Sequence, residues 1–270
     1  MPIGEITSYV NVAQLVLYAF WIFFAGLIIY LRREDKREGY PLESDRSDRS
    51  SRVKVVGWPL PPKPKTYRLP LDQGTRQAPH AETYGGEIPG TTQPSTYGYG
   101  TPLEPTGDPM RDGVGPASYA DRDDLPDLAV SGLPKVVPMR IAQDFHIETN
   151  DPDPRGMAVV AADGVVVGTI SDLWVDRAEH RILFFEVELS ESFAADNESE
   201  LVNPLLPYGF ASVKFFNRTI SVVSISAEQF TAVPRTASGD QVTRLEEDRI
   251  TAYFSSGLLY GTAQRQEPLI

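Results

Sequence analysis

Five acids stand close together in the C-terminal half of this 270-residue chain: Asp172, Asp176, Glu179, Glu186 and Glu188. They flank a short turn between two β-rich runs, so folding places them in one hairpin region. Glu186 and Glu188 are two apart, a spacing that a strand puts on one face. Carboxylates held that close resist double ionisation, which raises the apparent pKa of one of them. A partly buried group of this kind can hold or relay a proton near neutral pH. The plainer reading is a polar outer strand face opposite Phe185, Val187 and Leu189, as in any half-wet sheet, with Glu179 exposed in the turn. Other chemistry finds little support. The absence of cysteine excludes disulfides, cysteine–zinc sites and thiol nucleophiles. His80, His146 and His180 are far apart and in no ligand spacing. No P-loop, G-x-S-x-G or dinucleotide fingerprint occurs. The chain is therefore expected to be no enzyme, with no catalytic, metal or cofactor-binding residues of its own. A net charge of −12 speaks against a nucleic-acid partner.

The elements that must position these acids are mainly β. Asp163-Gly164 between two β-branched runs is a hairpin signal. Asp172–Asp176, a turn at 176–181 and the run 182–189 supply two more strands. The runs 211–216 and 219–225 pair around Asn217-Arg218. Short strands at this spacing predict a small barrel or sandwich over 139–256. A helix is predicted from about Thr243, with apolar positions at Leu245, Ile250 and Phe254 and Gly257 as its stop. Residues 257–270 read as a tail. Before the β domain, 57–138 carries most of the 23 prolines, which forbid long helices and central strands. Its Trp, Tyr, Leu and Met residues want burial, so it reads as an extended segment covered by a partner protein. Residues 32–56 form a charged collar containing the biased repeat at 44–52, read as a solvated loop.

Residues 12–31 are apolar throughout apart from Gln14 and hold no charge. About 20 such residues cross a hydrocarbon core of roughly 30 Å as a helix. No Lys or Arg occurs in 1–11, whereas Arg32, Arg33, Lys36 and Arg37 follow the run at once. The positive-inside rule then expects a periplasmic N-terminus at 1–11 and a cytoplasmic C-terminal domain. A cleaved signal peptide fits less well: the basic n-region and the small-residue cleavage site are missing.

Several stretches resemble the H subunit of purple bacterial photosynthetic reaction centres. They are Phe20-Trp21-Ile22-Phe23-Phe24-Ala25-Gly26, Arg37-Glu38-Gly39-Tyr40-Pro41-Leu42-Glu43, Pro62-Lys63-Pro64-Lys65-Thr66-Tyr67 and, most specifically, Pro105-Thr106-Gly107-Asp108-Pro109-Met110-Arg111-Asp112-Gly113. Phe184-Phe185-Glu186-Val187-Glu188-Leu189 and Leu245-Glu246-Glu247-Asp248-Arg249-Ile250 also match, and the β domain is similar to a PRC-barrel. The resemblance implies one membrane helix, an extended Pro-rich segment and a PRC-barrel-like domain with a C-terminal helix. It implies a single-pass subunit of the bacterial inner, intracytoplasmic membrane. That subunit would cap the cytoplasmic face of the pigment-binding L and M subunits, shield the quinones and help deliver protons to the secondary quinone. Antenna helices, membrane lipids and a cytochrome subunit where one is attached are the other implied neighbours. Bacteriochlorophyll, bacteriopheophytin, ubiquinone or menaquinone and non-heme iron are expected in the partners.

By position, the resemblance makes Glu179, Asp176 and Lys135 the proton-transfer residues. It makes Arg37, Glu38, Tyr40, Asp108 and Met110 partner-interface residues. Two departures stand out: Ser131 and Leu133 occupy the place of paired histidines at a proton-entry and metal site in some members. Leu183 occupies the place of an arginine, for which Arg181 is the candidate substitute. Asp121, Asp123, Asp124 and Asp127 offer another proton-collecting surface or ordinary loop charge. The competing readings are a purely architectural cap and a membrane-tethered PRC-barrel adaptor or assembly protein without a proton role.

Overall fold

The structure is a computed structural model that describes residues 5–7, 10–40, 42–43, 54–79, 91–96, 101–193 and 202–265. The repeat at 44–52 and His80 lie outside the described residues. The chain divides into two compact units, one of residues 1–87 with 97–101 and one of residues 88–96 with 102–270.

The first unit is organised around one helix. Strands β1 (Glu5–Thr7) and β2 (Val10–Asn11) pair ahead of α1 (Val12–Glu34). Gln14, the polar exception in the apolar run, has a structural reason. Its side-chain oxygen accepts from the Asn11 amide at 3.2 Å, while Asn11 Oδ1 accepts from the Gln14 amide at 2.8 Å. This reciprocal cap satisfies donors that lipid could not. Arg32 and Arg33 in the last turn face the negative end of the helix dipole. No residue of α1 is buried within the chain, as a lipid- or partner-facing helix requires. Beyond it come β3 (Leu42–Glu43) paired with β4 (Lys54–Val55), and the exposed hairpin β5 (Lys65–Arg68) with β6 (Thr75–Ala78).

In the second unit a small hairpin, β7 (Thr92–Pro94) and β8 (Leu103–Pro105), precedes a seven-stranded sheet. The sheet is built from β9 (Val136–Pro138), β10 (Ala158–Val160), β11 (Val166–Asp176), β12 (Arg181–Leu189), β13 (Leu205–Pro207), β14 (Ala211–Lys214) and β15 (Thr219–Val222). Its order is β13-β12-β11-β10-β15-β14, with β9 also on β11. Pairing is antiparallel except between β10 and β15. The Asp163-Gly164 turn closes β10 onto β11, with Gly164 at φ +81°. A short helix α2 (Ala227–Phe230) and the long α3 (Arg244–Tyr260) close the core. Phe254 of α3 meets the Phe210 and Phe230 rings, each with its centroid 6.0 Å away.

Two expectations need correction. Gly257 does not stop α3, which runs on to Tyr260 and past the boundary expected at 256. Its lack of a side chain lets the helix lie directly on the backbone of Ser224 and on Ile225. Residues 102–138 do not lie only on partners, because they share the compact unit of the barrel. Met110, Val114 and Ala117 are buried there, and β9 is a strand of the sheet itself.

Candidate functional site

The five acids do not form one group. The short strand β9 runs antiparallel to the C-terminal half of β11, with Val136 opposite Asp176 and Pro138 opposite Trp174. Lys135 precedes β9 and Arg140 follows it closely. The strand therefore presents one cation at each end, to Asp176 and Asp172 respectively. The Met139 amide bonds to the Leu173 carbonyl at 2.8 Å and the Arg177 amide to the Lys135 carbonyl at 2.9 Å, which fixes both ends.

At the turn, Lys135 Nζ lies 3.2 Å from Asp176 Oδ2 and 3.5 Å from Glu179 Oε1. Arg181 Nη2 holds the other Glu179 oxygen at 2.9 Å. Asp176 is only 1% exposed, and its Oδ1 accepts from the Ala178 and Glu179 amides at 2.8 and 2.9 Å. The aspartate thus shapes the turn that carries the glutamate. The Glu179 side chain is 49% exposed. The lysine bridges a buried acid and a wet one. The hydrogen bond to Asp176 is the main reason its pKa is raised, against the opposing effect of burial. Glu247, half-buried on α3, belongs to the same electrostatic neighbourhood. Burial first, then the charge of Asp248, pushes its pKa up; Asp127 and Asp176 add to this and Lys135 opposes it.

At the other end Arg140, whose side chain is 42% exposed, gathers two buried acids and, 3.7 Å from Nη2, the exposed Asp240. Arg140 Nη1 lies 2.7 Å from Glu186 Oε2 and 3.1 Å from Asp172 Oδ2, and Nη2 donates to the Gly239 carbonyl. Glu186 also accepts from the Trp174 indole at 2.9 Å, Asn203 Nδ2 at 3.1 Å and Ser171 Oγ at 3.3 Å. Burial pushes its pKa up, but the bonds from Arg140, Trp174 and Asn203 together bring it below the ordinary value. This corrects two expectations. Glu186 lies under cover rather than on a wet face, and it shares no proton with Glu188, which is exposed.

The acids at 123–124 serve a mechanical purpose: Arg244 Nη2 lies 3.1 Å from Asp123, and Thr243 Oγ1 donates to Asp124 at 2.7 Å. They fasten the preceding loop to the start of α3. Ser131 and Leu133 are both exposed on a tight turn closed by the Gly132 amide on the Ala129 carbonyl at 2.8 Å.

The model of the photosynthetic reaction centre H-chain N-terminal region matches residues 4–141, and that of the PRC-barrel domain matches residues 147–229. The first spans just over half of the sequence. The chain belongs to the H-chain family of photosynthetic reaction centres. It is a membrane-anchored structural subunit that associates with other subunits of the reaction centre.

Within this H chain the expected interface residues have different settings. Arg37 is taken up internally: it grips Glu34 at 2.7 and 3.0 Å and donates to the carbonyls of Lys63 at 3.0 Å and Ala78 at 2.8 Å. Tyr40 lies under the Lys36 ammonium, 5.1 Å from ring centroid to nitrogen. Glu38 is exposed. Asp108 is exposed and caps the Met110 amide at 3.0 Å. Met110 itself is 6% exposed in the chain's own core, so its side chain is not free to meet a partner. Sequence reasoning missed Arg140 and Glu247, and read Lys36 only as one of the cations after the apolar run. Glu247 sits in the Leu245–Ile250 stretch that carried the resemblance, whereas nothing near Arg140 marked it.

Proposed function

We propose that this H chain caps the cytoplasmic face of the L and M subunits and helps to carry protons to the secondary quinone. The observation that carries the reading is the graded set at the β11–β12 turn: an exposed Glu179, a bridging Lys135 and an almost fully buried Asp176. Quinone reduction to quinol takes two electrons and two protons, and the protons must come from water. Glu179 takes a proton at the surface. The Lys135 ammonium lowers the cost of charge on Asp176 inside, so a proton can pass inward without stranding a bare carboxylate. Glu247, whose pKa burial raises, is a third acceptor beside the same lysine. The quinone, bacteriochlorophyll, bacteriopheophytin and non-heme iron belong to the partners. The N-terminus is periplasmic in this reading, because the cations follow the apolar run rather than precede it.

The test is Glu179→Gln in assembled reaction centres, with proton uptake and quinol formation followed after successive flashes. Slower uptake on the second flash, with normal assembly, is the expected result. An unchanged rate would leave the architectural cap as the function.

A further inference from the structure

We propose that Trp58 and Leu60 form a second membrane contact, seated among anionic lipid headgroups at the C-terminal end of α1. Lys36, just past the last turn of α1, is only 3% exposed. Its ammonium donates to the Val56 and Pro59 carbonyls, each at 2.7 Å. Gly57, at φ +64°, lets the chain turn around that ammonium. Residues 56–60 are thereby tied to the end of the helix. The 23 residues of α1, rising about 1.5 Å each, slightly exceed a hydrocarbon core of roughly 30 Å, so the tied segment lies at headgroup depth.

Pro59 is buried inside this knot, whereas Trp58 is 74% and Leu60 68% exposed. An indole with a leucine beside it is costly to leave in water and suits the boundary, where the ring meets acyl chains and its N–H meets water or phosphate. Cations stand at the same level. Arg32 and Arg33 end the helix, Lys65 pairs with Glu34 at 3.3 Å, and the Lys63 backbone is held by Arg37. Such cations draw the phosphates of anionic lipids. A reaction-centre partner is the competing occupant; the indole, leucine and cations together at headgroup depth favour lipid. The proposal rests on α1 spanning the bilayer.

The chain has no native cysteine, so single probes can be placed cleanly. Leu60→Cys, Trp58→Cys and Ile22→Cys chains, each labelled with bimane, are put into phosphatidylglycerol-containing nanodiscs, alone and with their partner subunits. Quenching of the probes at 60 and 58 by lipids brominated near the headgroup, in both settings, is expected. Probes at 58 and 60 that are shielded only by partners and unquenched by bromolipid would overturn the proposal in favour of a protein contact. Probes that stay wet in both settings would overturn it outright. A probe at 22 that lipids brominated near the acyl-chain ends fail to quench would overturn the spanning helix itself, and the proposal with it.

Discussion

Replacing Arg140 by leucine tests how its ion cluster is balanced. The guanidinium touches Glu186 at 2.7 Å and Asp172 at 3.1 Å, and both acids are 7% exposed. Breaking a fully buried pair costs about 3–5 kcal/mol, and the partial exposure of the arginine lowers the expectation to about 2–3 kcal/mol at pH 7. The pH dependence is the sharper result. In the natural chain Glu186 titrates below its ordinary value. Its contribution is therefore complete above about pH 4.3 and is lost as pH falls through the lower folded value. In Arg140→Leu, burial is left opposed only by the neutral donors, and Glu186 titrates above its ordinary value. Its charged form then destabilises at neutral pH, and that penalty fades as pH falls through the raised value. The stability gap between the two proteins should be widest near pH 7–8 and narrow on acidification. Urea unfolding of the full chain in detergent, followed by tryptophan emission, reads this directly, because the Trp174 indole donates to Glu186. Adding Glu186→Gln should remove most of the pH dependence. A gap that stays constant from pH 5 to 8 would show that Arg140 contributes packing alone and that the charge balance is wrong.

Gly257→Ala should cost about 1–3 kcal/mol, read as a lower denaturation midpoint, because the new methyl collides with the Ser224 backbone, which cannot swing aside. Gly209→Ala, where a methyl meets nothing within 4 Å, should change stability by less than about 0.5 kcal/mol. Glu247→Gln should stabilise the chain at pH 7 by less than about 1 kcal/mol, the group being only partly screened from water. That gain should disappear once acidification protonates the natural glutamate, since a carboxyl with a raised folded pKa is penalised only while charged.

Local signals survived folding, and signals from far along the chain did not exist to be read. Asp163-Gly164 closes its hairpin because glycine accepts the left-handed backbone there. The pair expected around Asn217-Arg218 also forms, but β14 stops at Lys214 and residues 215–217 make a 3-10 turn that Arg218 ends at φ +49°. The apolar run became a helix with its expected basic end. Glu186 was misread because alternation along β12 says which face a side chain takes, not what arrives to cover it. Its cover is Arg140, 46 positions earlier, and Asn203, 17 later. β9 was hidden by Pro134 just before it and Pro138 at its end, which fit a short edge pairing to β11 while resembling linker. Gly257 looked like a helix stop because the backbone of Ser224, which it admits, is 33 residues away.

The same strand explains why two similar ion clusters have different chemistry. β9 brings a cation to each end of the paired stretch, but the surroundings differ. At Arg140 the carboxylate of Glu186 is held by an indole, an amide and a hydroxyl, and every bond favours its charged form, while the exposed Asp240 reaches only the far side of the guanidinium, 3.7 Å from Nη2. A proton has little reason to bind there. At Lys135 the strand ends where β11 turns into β12, and the turn itself carries Glu179 into water. Lys135 divides one compact, freely rotating ammonium between a buried and a wet carboxylate, whereas the planar guanidinium of Arg140 is fixed by bonds from Nη1 to both buried acids and from Nη2 to the Gly239 carbonyl. The turn cluster is therefore the softer of the two. Lys135→Arg should stiffen it, holding Asp176 and Glu179 with separate bonds and slowing second-flash proton uptake while preserving charge. Uptake as fast as in the natural chain would mean that charge alone, not the single shared ammonium, matters at this turn.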